Sequence, residues 1–340
     1  MKIRKKIDRF LAQVYLSSLF KYEVPGPMFF SGPNSHSSFP INIKFKSNGK
    51  VEHRRISPHS RFAASIVDEK NKLVLFYSYK VGSSTIKKFI KENMQSAFPG
   101  VNFNFENPQD IEFPSLLNTH VFKDPGKHFI TTIDWEKYKD YRKILFMRDP
   151  LDKLVSFYTM VFIRGFWNFI DQPHFRNGYT LKTLGYFVEE NGTKKVDIFD
   201  ISFEDVLTRL DAYYESGIKV WDSHLSLQIT PDIDLIAKDE IECYKIDYLD
   251  KFLLEWAASH NAQKASASNN VEGNNINLHK RNVELKDAHK MTVRDFKVAG
   301  FTPSFESFYT EGLKKIAKKI YKPDLKYWEN CKDGGPDIFK

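Results

Sequence analysis

The stretch Leu73-Val74-Leu75-Phe76-Tyr77-Ser78-Tyr79-Lys80-Val81-Gly82-Ser83-Ser84-Thr85 constrains this chain more than any other. Its first half is a short apolar run rich in β-formers, the signature of a buried strand. Its second half is small and polar, with one lysine and one glycine. Ile86-Lys87-Lys88-Phe89-Ile90 then spaces its apolar residues as a helix does. A strand, a polar turn and a helix together aim unpaired backbone N–H groups at an anion. Gly82 lets the backbone come close, Lys80 adds a positive charge, and Ser83, Ser84 and Thr85 add hydroxyl donors. The nucleotide P-loop needs a second glycine and a terminal Gly-Lys-Ser/Thr, and this turn has neither.

A second unit of the same design follows. Lys143-Ile144-Leu145-Phe146-Met147-Arg148-Asp149-Pro150 is an apolar run ending on a basic residue. Asp149 suits a helix N-cap and Pro150 the first helical position. Leu151, Leu154, Val155 and Tyr158 then share one helix face, and Ser156 lies two turns beyond Arg148. Two such units predict an α/β fold with a central parallel sheet flanked by helices, with ligands beyond the strand ends. Arg148 and Ser156 would hold one phosphate, and the loop from Lys80 to Thr85 another.

The residues 148 to 158, Arg-Asp-Pro-Leu-Asp-Lys-Leu-Val-Ser-Phe-Tyr, closely resemble the 3′-phosphate-binding motif of sulfotransferases, Arg-Asp-Pro-x-x-Arg-Leu-Val-Ser-x-Tyr. Lys153 stands where Arg is usual and keeps the charge. The turn at Lys80–Thr85 resembles the 5′-phosphosulfate loop of the same enzymes. Trp221-Asp222-Ser223-His224-Leu225-Ser226-Leu227-Gln228 is similar to the His-Trp-x-x-Gln region of carbohydrate sulfotransferases, with Leu225 in place of Trp. Ile233 to Leu254 is similar to the segment that follows it. Phe308-Tyr309 through Ile320-Tyr321-Lys322-Pro323-Asp324-Leu325 resembles their closing helix and Tyr-x-x-Asp tail. The resemblance runs over roughly residues 70 to 330 and is to sulfotransferase family 2, the Golgi-type carbohydrate enzymes and their bacterial relatives. It implies a P-loop-like fold and 3′-phosphoadenosine 5′-phosphosulfate (PAPS) as sulfuryl donor. It also implies a carbohydrate hydroxyl as acceptor, in a polysaccharide and with acidic glycans included.

Sulfuryl transfer moves a group in line between two oxygens, so the protein positions the reactants and stabilises charge. Lys80 and the Val81–Thr85 loop meet the charge on the leaving phosphate oxygen. No metal is called for, because a sulfuryl group brings less charge than a phosphoryl group. The acceptor hydroxyl needs a general base. Asn118-Thr119-His120-Val121 resembles the strand end that supplies the base in uronyl 2-O-sulfotransferases, which puts His120 first. His224 is second, with Glu92 and Glu112 as further alternatives. Lys280-Arg281, after an Asn/Ser/Ala-rich loop, is the basic pair expected to close over the cofactor.

Composition bounds what remains. A net charge of +8 favours anionic partners without choosing among them, and the motifs speak for a glycan rather than nucleic acid. Two cysteines, Cys243 and Cys331, make neither a zinc site nor a disulfide-rich framework; one bridge between them stays open, and a reduced compartment is the simpler reading. The expected division is an amphipathic helix over 1–22, a sulfotransferase domain over 23–330 and a tail over 331–340. The first of these would touch a membrane surface weakly. The animal relatives carry a membrane anchor and more cysteines; with neither evident here, the expected location is cytoplasmic, with Golgi or secreted sites left open. Two rival readings stand beside this one: a kinase-like nucleotide-dependent transferase, and a non-enzymatic basic module that binds acidic polysaccharide.

Overall fold

The apolar run at 73–77 is a strand, and it is the second of four in the sheet that organises the molecule. The computed structural model describes residues 41–47, 50–56, 64–78, 81–105, 111, 113, 130–164, 200–215, 224–225, 227–229, 233, 240–262 and 284–337. They divide between two compact units.

The first unit takes the described residues of Asn34–Lys153, Ser226–Ile276 and Tyr321–Lys340. Its main sheet has the order β3 (Ala64–Asp68), β4 (Leu73–Tyr77), β6 (Arg142–Met147), β7 (Ile241–Lys245). β4, β6 and β7 are parallel, and β3 is antiparallel to β4. The sheet is therefore mixed, where the sequence predicts a parallel one. The reason is the connection from Asp68 to Leu73, a four-residue turn that permits only an antiparallel return. Lys72 takes a left-handed φ of 48° in that turn.

Both faces of the sheet are buried, which is why β4 reads as an unbroken apolar run. Leu73, Leu75, Tyr77, Ile144, Phe146 and Tyr244 share one core cluster with Ile86, Phe89 and Ile90 of α1 (Ser83–Asn93) and with Phe252, Leu253 and Trp256 of α4 (Leu249–Ser259). Val74, Phe76, Leu145, Met147 and Cys243 belong to a second cluster, against which Tyr327 and Trp328 of α7 (Lys322–Trp328) pack. Each fully buried Phe or Leu in these layers contributes about 1.5–3 kcal/mol.

A second sheet of the same unit has the order β2 (Lys50–Ile56), β1 (Ile41–Ser47), β5 (Ile130–Asp134). The alternation at 41–45 predicts an edge strand, yet β1 lies between its two partners. Alternation reports that one face is wet, not that one edge is free.

The two cysteines form the one bridge that the sequence leaves open, against the simpler reading of a reduced pair. Cys243 of β7 and Cys331 have Cα atoms 4.8 Å apart across 88 residues of sequence. The chain after α7 turns back beside β7, where Lys332 N–H donates to Cys243 O at 2.8 Å and a parallel bridge joins Tyr244 to Lys332. Lys245 meets Asp333 at 2.7 Å, and the Arg142 guanidinium donates to Glu242 and to Asp337 O. That Arg142 bond, set against partial burial, holds the Glu242 carboxyl at about 2.

At the last residue of β3, Asp68 is buried and accepts from Trp256 Nε1 (2.6 Å), His260 Nε2 (2.7 Å), Asn71 Nδ2 (2.6 Å) and the N–H groups of Lys70 and Asn71. Burial raises its pKa, but the bonds from Trp256, His260 and Asn71 outweigh it and leave the carboxyl below its ordinary 3.8. A depressed pKa gives stability that is present above the unfolded value and lost as pH falls through the folded one. Asp68→Asn is expected to be less stable than wild type by about 1–3 kcal/mol at pH 7, because one oxygen cannot serve all these donors. Urea unfolding from pH 7 to pH 3 should show that difference shrinking below the ordinary carboxylate range; a constant difference would refute it.

The second unit takes the described residues of Leu154–Leu225 and Asn277–Ile320. It holds the later part of α2 (Pro150–Tyr158), a π-helical turn over Thr159–Arg164, and helices α3 (Phe203–Glu215), α5 (Val293–Ala299) and α6 (Glu311–Ile320). Tyr158 is buried against Phe162, Phe203 and Phe308, with ring centroids 5.5–5.9 Å away. Its hydroxyl donates to Ile201 O and Met291 O. The helix starts are fixed locally: Ser202 and Asp205 bond reciprocally at α3, as Thr292 and Asp295 do at α5. Among the described residues, no helix is long and apolar enough to cross a membrane. The N-terminal segment 1–22 lies outside the described residues.

Candidate active site

β4 and β6 are adjacent and parallel, with Phe76 paired to Leu145, so both chains leave the sheet at the same end. The loops that follow therefore open side by side, about 4.8 Å apart at their roots. One carries Val81 to Thr85 and the other carries Arg148 to Pro150. This juxtaposition brings together the two sequence motifs that the strand–turn–helix pattern singled out.

The first loop turns at Gly82, which has φ 73° and forms the N-cap of α1. A Cβ there would sit 2.5 Å from Leu249 Cδ2 and 3.1 Å from Ile246 Cδ1. Glycine is required both for the left-handed backbone and for the close approach of the start of α4. The helical ladder begins with Ile86 N–H donating to Gly82 O at 2.9 Å, so the N–H groups of Ser83, Ser84 and Thr85 precede the first intrahelical bond. Val81 and Ser83 are buried, while Ser84 is exposed at the helix start and Thr85 is half-buried. Hydroxyls and N–H groups thus crowd the positive end of a helix, which suits a bound anion.

In the second loop, Asp149 caps α2 as its position predicts: its Oδ1 accepts from Leu151 N–H at 2.7 Å, and Pro150 is the first helical residue. The Arg148 Nε donates to Asp152 Oδ2 at 2.5 Å, one turn on. The backbone of Arg148 is held from both sides by one side chain. Its N–H donates to Gln228 Oε1 at 2.9 Å, and Gln228 Nε2 donates to its carbonyl at 2.8 Å. Gln228 is fully buried, and its own N–H and that of Ile229 donate to the Asp324 carboxylate at 2.9 Å. Asp324 is also fully buried. Burial pushes its carboxyl above the ordinary range, opposed first by the Lys153 charge and then by the Ile229 and Gln228 bonds. Lys153, the residue standing for the motif's usual arginine, is 1% exposed. Its charge is buried and acts on the Asp324 carboxyl.

The expected site residues divide between the two units and the residues outside the description. Ser156 sits half-buried on the part of α2 that belongs to the second unit, and His224 lies half-buried in a turn of that unit. Lys80, His120, Lys280 and Arg281 lie outside the described residues, as does Glu112. Glu92, an alternative base, is on α1 one turn beyond Lys88, 3.8 Å from its Nζ. Sequence reading assigned no role to Asp152, Gln228 or Asp324. All three do lie within the motifs that the resemblance rests on, which was the available signal.

The model of the sulfotransferase family matches residues 64–329, more than half of the chain. No curated protein and no solved structure matches.

Proposed function

Since the chain belongs to the sulfotransferase family, we propose that it moves the sulfuryl group of PAPS to a hydroxyl of a carbohydrate acceptor. The observation that carries the donor half is the pairing of the Gly82 turn with Arg148 at one end of adjacent parallel strands. A bisphosphorylated nucleotide needs two separate anion sites, and the two loops offer them. The N–H groups of Ser83, Ser84 and Thr85, which precede the first intrahelical bond of α1, support the 5′ site, and Gly82 allows the turn by making room for Leu249 and Ile246.

In this reading Val81 to Thr85 hold the 5′ end of the nucleotide, with Lys80 against the leaving oxygen, and Arg148 takes the 3′-phosphate with Ser156. PAPS, when bound, supplies the activated sulfuryl group. The chain's own part is to orient that group, to meet charge on the leaving phosphate with N–H donors, and to take the acceptor proton. His120 is proposed for the proton, with His224 as the alternative, and Lys280-Arg281 for closure over the nucleotide. The excess of Lys and Arg, 51 against 43 acidic residues, supports an acceptor class that includes acidic glycans.

Thermal unfolding in the presence of adenosine 3′,5′-bisphosphate, with AMP and ADP as controls, tests the donor assignment. Selective stabilisation by the bisphosphate is expected, about 2.7 kcal/mol when the ligand stands at a hundredfold excess over its Kd. Equal or absent shifts with all three nucleotides would overturn it.

A further inference from the structure

We propose that Gln228, anchored by Asp324, is a positioning residue that sets the direction of Arg148 for the nucleotide's 3′-phosphate; this rests on the reading above. β6 pairs with β7 as far as Met147 with Lys245, and Arg148 is the next residue out. Beyond that point no strand among the described residues meets its N–H and C=O. The Gln228 amide does so, accepting at 2.9 Å and donating at 2.8 Å. One side chain thus acts as a one-residue strand. Binding both backbone groups of Arg148 fixes its φ and ψ and therefore the line of its Cα–Cβ bond.

The support beneath Gln228 is costly unless it serves such a purpose. A buried carboxylate without partners is strongly unfavourable. Asp324, on the first turn of α7, is matched to the N–H groups of Gln228 and Ile229 and to the charge of buried Lys153. Asp324 thus holds Gln228 from 96 residues away, and Gln228 holds the backbone of Arg148 from 80 residues away. On the side-chain side, Asp152 holds Arg148 Nε. The arginine is thereby fixed from the backbone and from the guanidinium, and only the first of these runs through Gln228.

The test is the ratio of affinities for adenosine 3′,5′-bisphosphate and AMP, measured by calorimetry on the full chain. Gln228→Met keeps the side-chain length and loses both bonds. It is expected to lower bisphosphate affinity about ten- to hundredfold while AMP affinity stays within about twofold. Asp324→Asn, which leaves Gln228 in place but halves its acceptor, is expected to lower the same ratio by a smaller factor, and it serves if Gln228→Met does not fold. A purely structural role would weaken both ligands alike through the folded fraction, and an unchanged ratio in folded variants overturns the proposal. If wild type itself shows no preference for the bisphosphate, the donor reading falls and the proposal with it. A preserved wild-type preference with unmoved variants sinks the positioning role alone.

Discussion

Arg148→Ala is expected to lower affinity for adenosine 3′,5′-bisphosphate by roughly thirty- to several-hundredfold, the equivalent of about 2–4 kcal/mol for a charge-assisted phosphate contact. AMP, which lacks the 3′-phosphate, should bind the variant almost as it binds wild type. Arg148→Lys should recover only part of the loss. The guanidinium can donate from Nε to Asp152 and still present a fork of further N–H groups, whereas an ammonium is a single point charge. Titration calorimetry with the two nucleotides gives both numbers. Equal losses for the two ligands would show that Arg148 supports the loop rather than the phosphate, and no loss would remove it from the site. Transfer from PAPS should fall in step with bisphosphate affinity. His120→Ala, by contrast, is expected to slow turnover and leave nucleotide binding intact.

Removing the Cys243–Cys331 bond should be the largest change in stability. Closing a loop of this length, 88 residues in sequence, carries about 4–5 kcal/mol in the chain-entropy account, and measured values run at about 2–4 kcal/mol. The neighbouring bonds from Lys332, Lys245 and Arg142 survive the substitution, so the lower range is expected for Cys331→Ser. Guanidinium unfolding of wild type with and without reductant, beside the Ser variant, measures it. Titration of free thiols must first show wild type fully paired. Free thiols in the folded, untreated protein, or coincident unfolding curves, would defeat the prediction.

Much of the site was legible because its parts are local. β4, the Gly82 turn and α1 announce themselves within one short stretch, Leu73 to Asn93, and β6, the Asp149 cap and α2 within another, Arg142 to Tyr158. Apolar runs, a glycine and an Asp-Pro pair are signals that act over one or two turns of chain. What escaped is long-range. Nothing in spacing says that Gln228 reaches back 80 residues to Arg148, or that Asp324 reaches back 96 to Gln228. A hydrogen bond of that kind leaves no periodicity. Lys153 illustrates the limit differently: its charge was readable, but its burial depends on a carboxylate that arrives from α7. The antiparallel β3 was hidden in a turn of ordinary polar residues, whose length rather than composition decided the strand direction.

The course of residues 331–337 has a consequence for how this protein fails. A four-stranded open sheet has two edges, and each is a template for pairing with another chain. β3 forms one edge. The other is β7, and the returning segment lies along it, bridged at Tyr244–Lys332 and fastened at Cys243. The disulfide therefore guards solubility as well as stability. When it is reduced, the cover over β7 rests, among the described residues, on the Lys332 backbone bond, the Lys245–Asp333 pair and the Arg142 bond to Asp337 O, and a greater tendency to associate is the expected result.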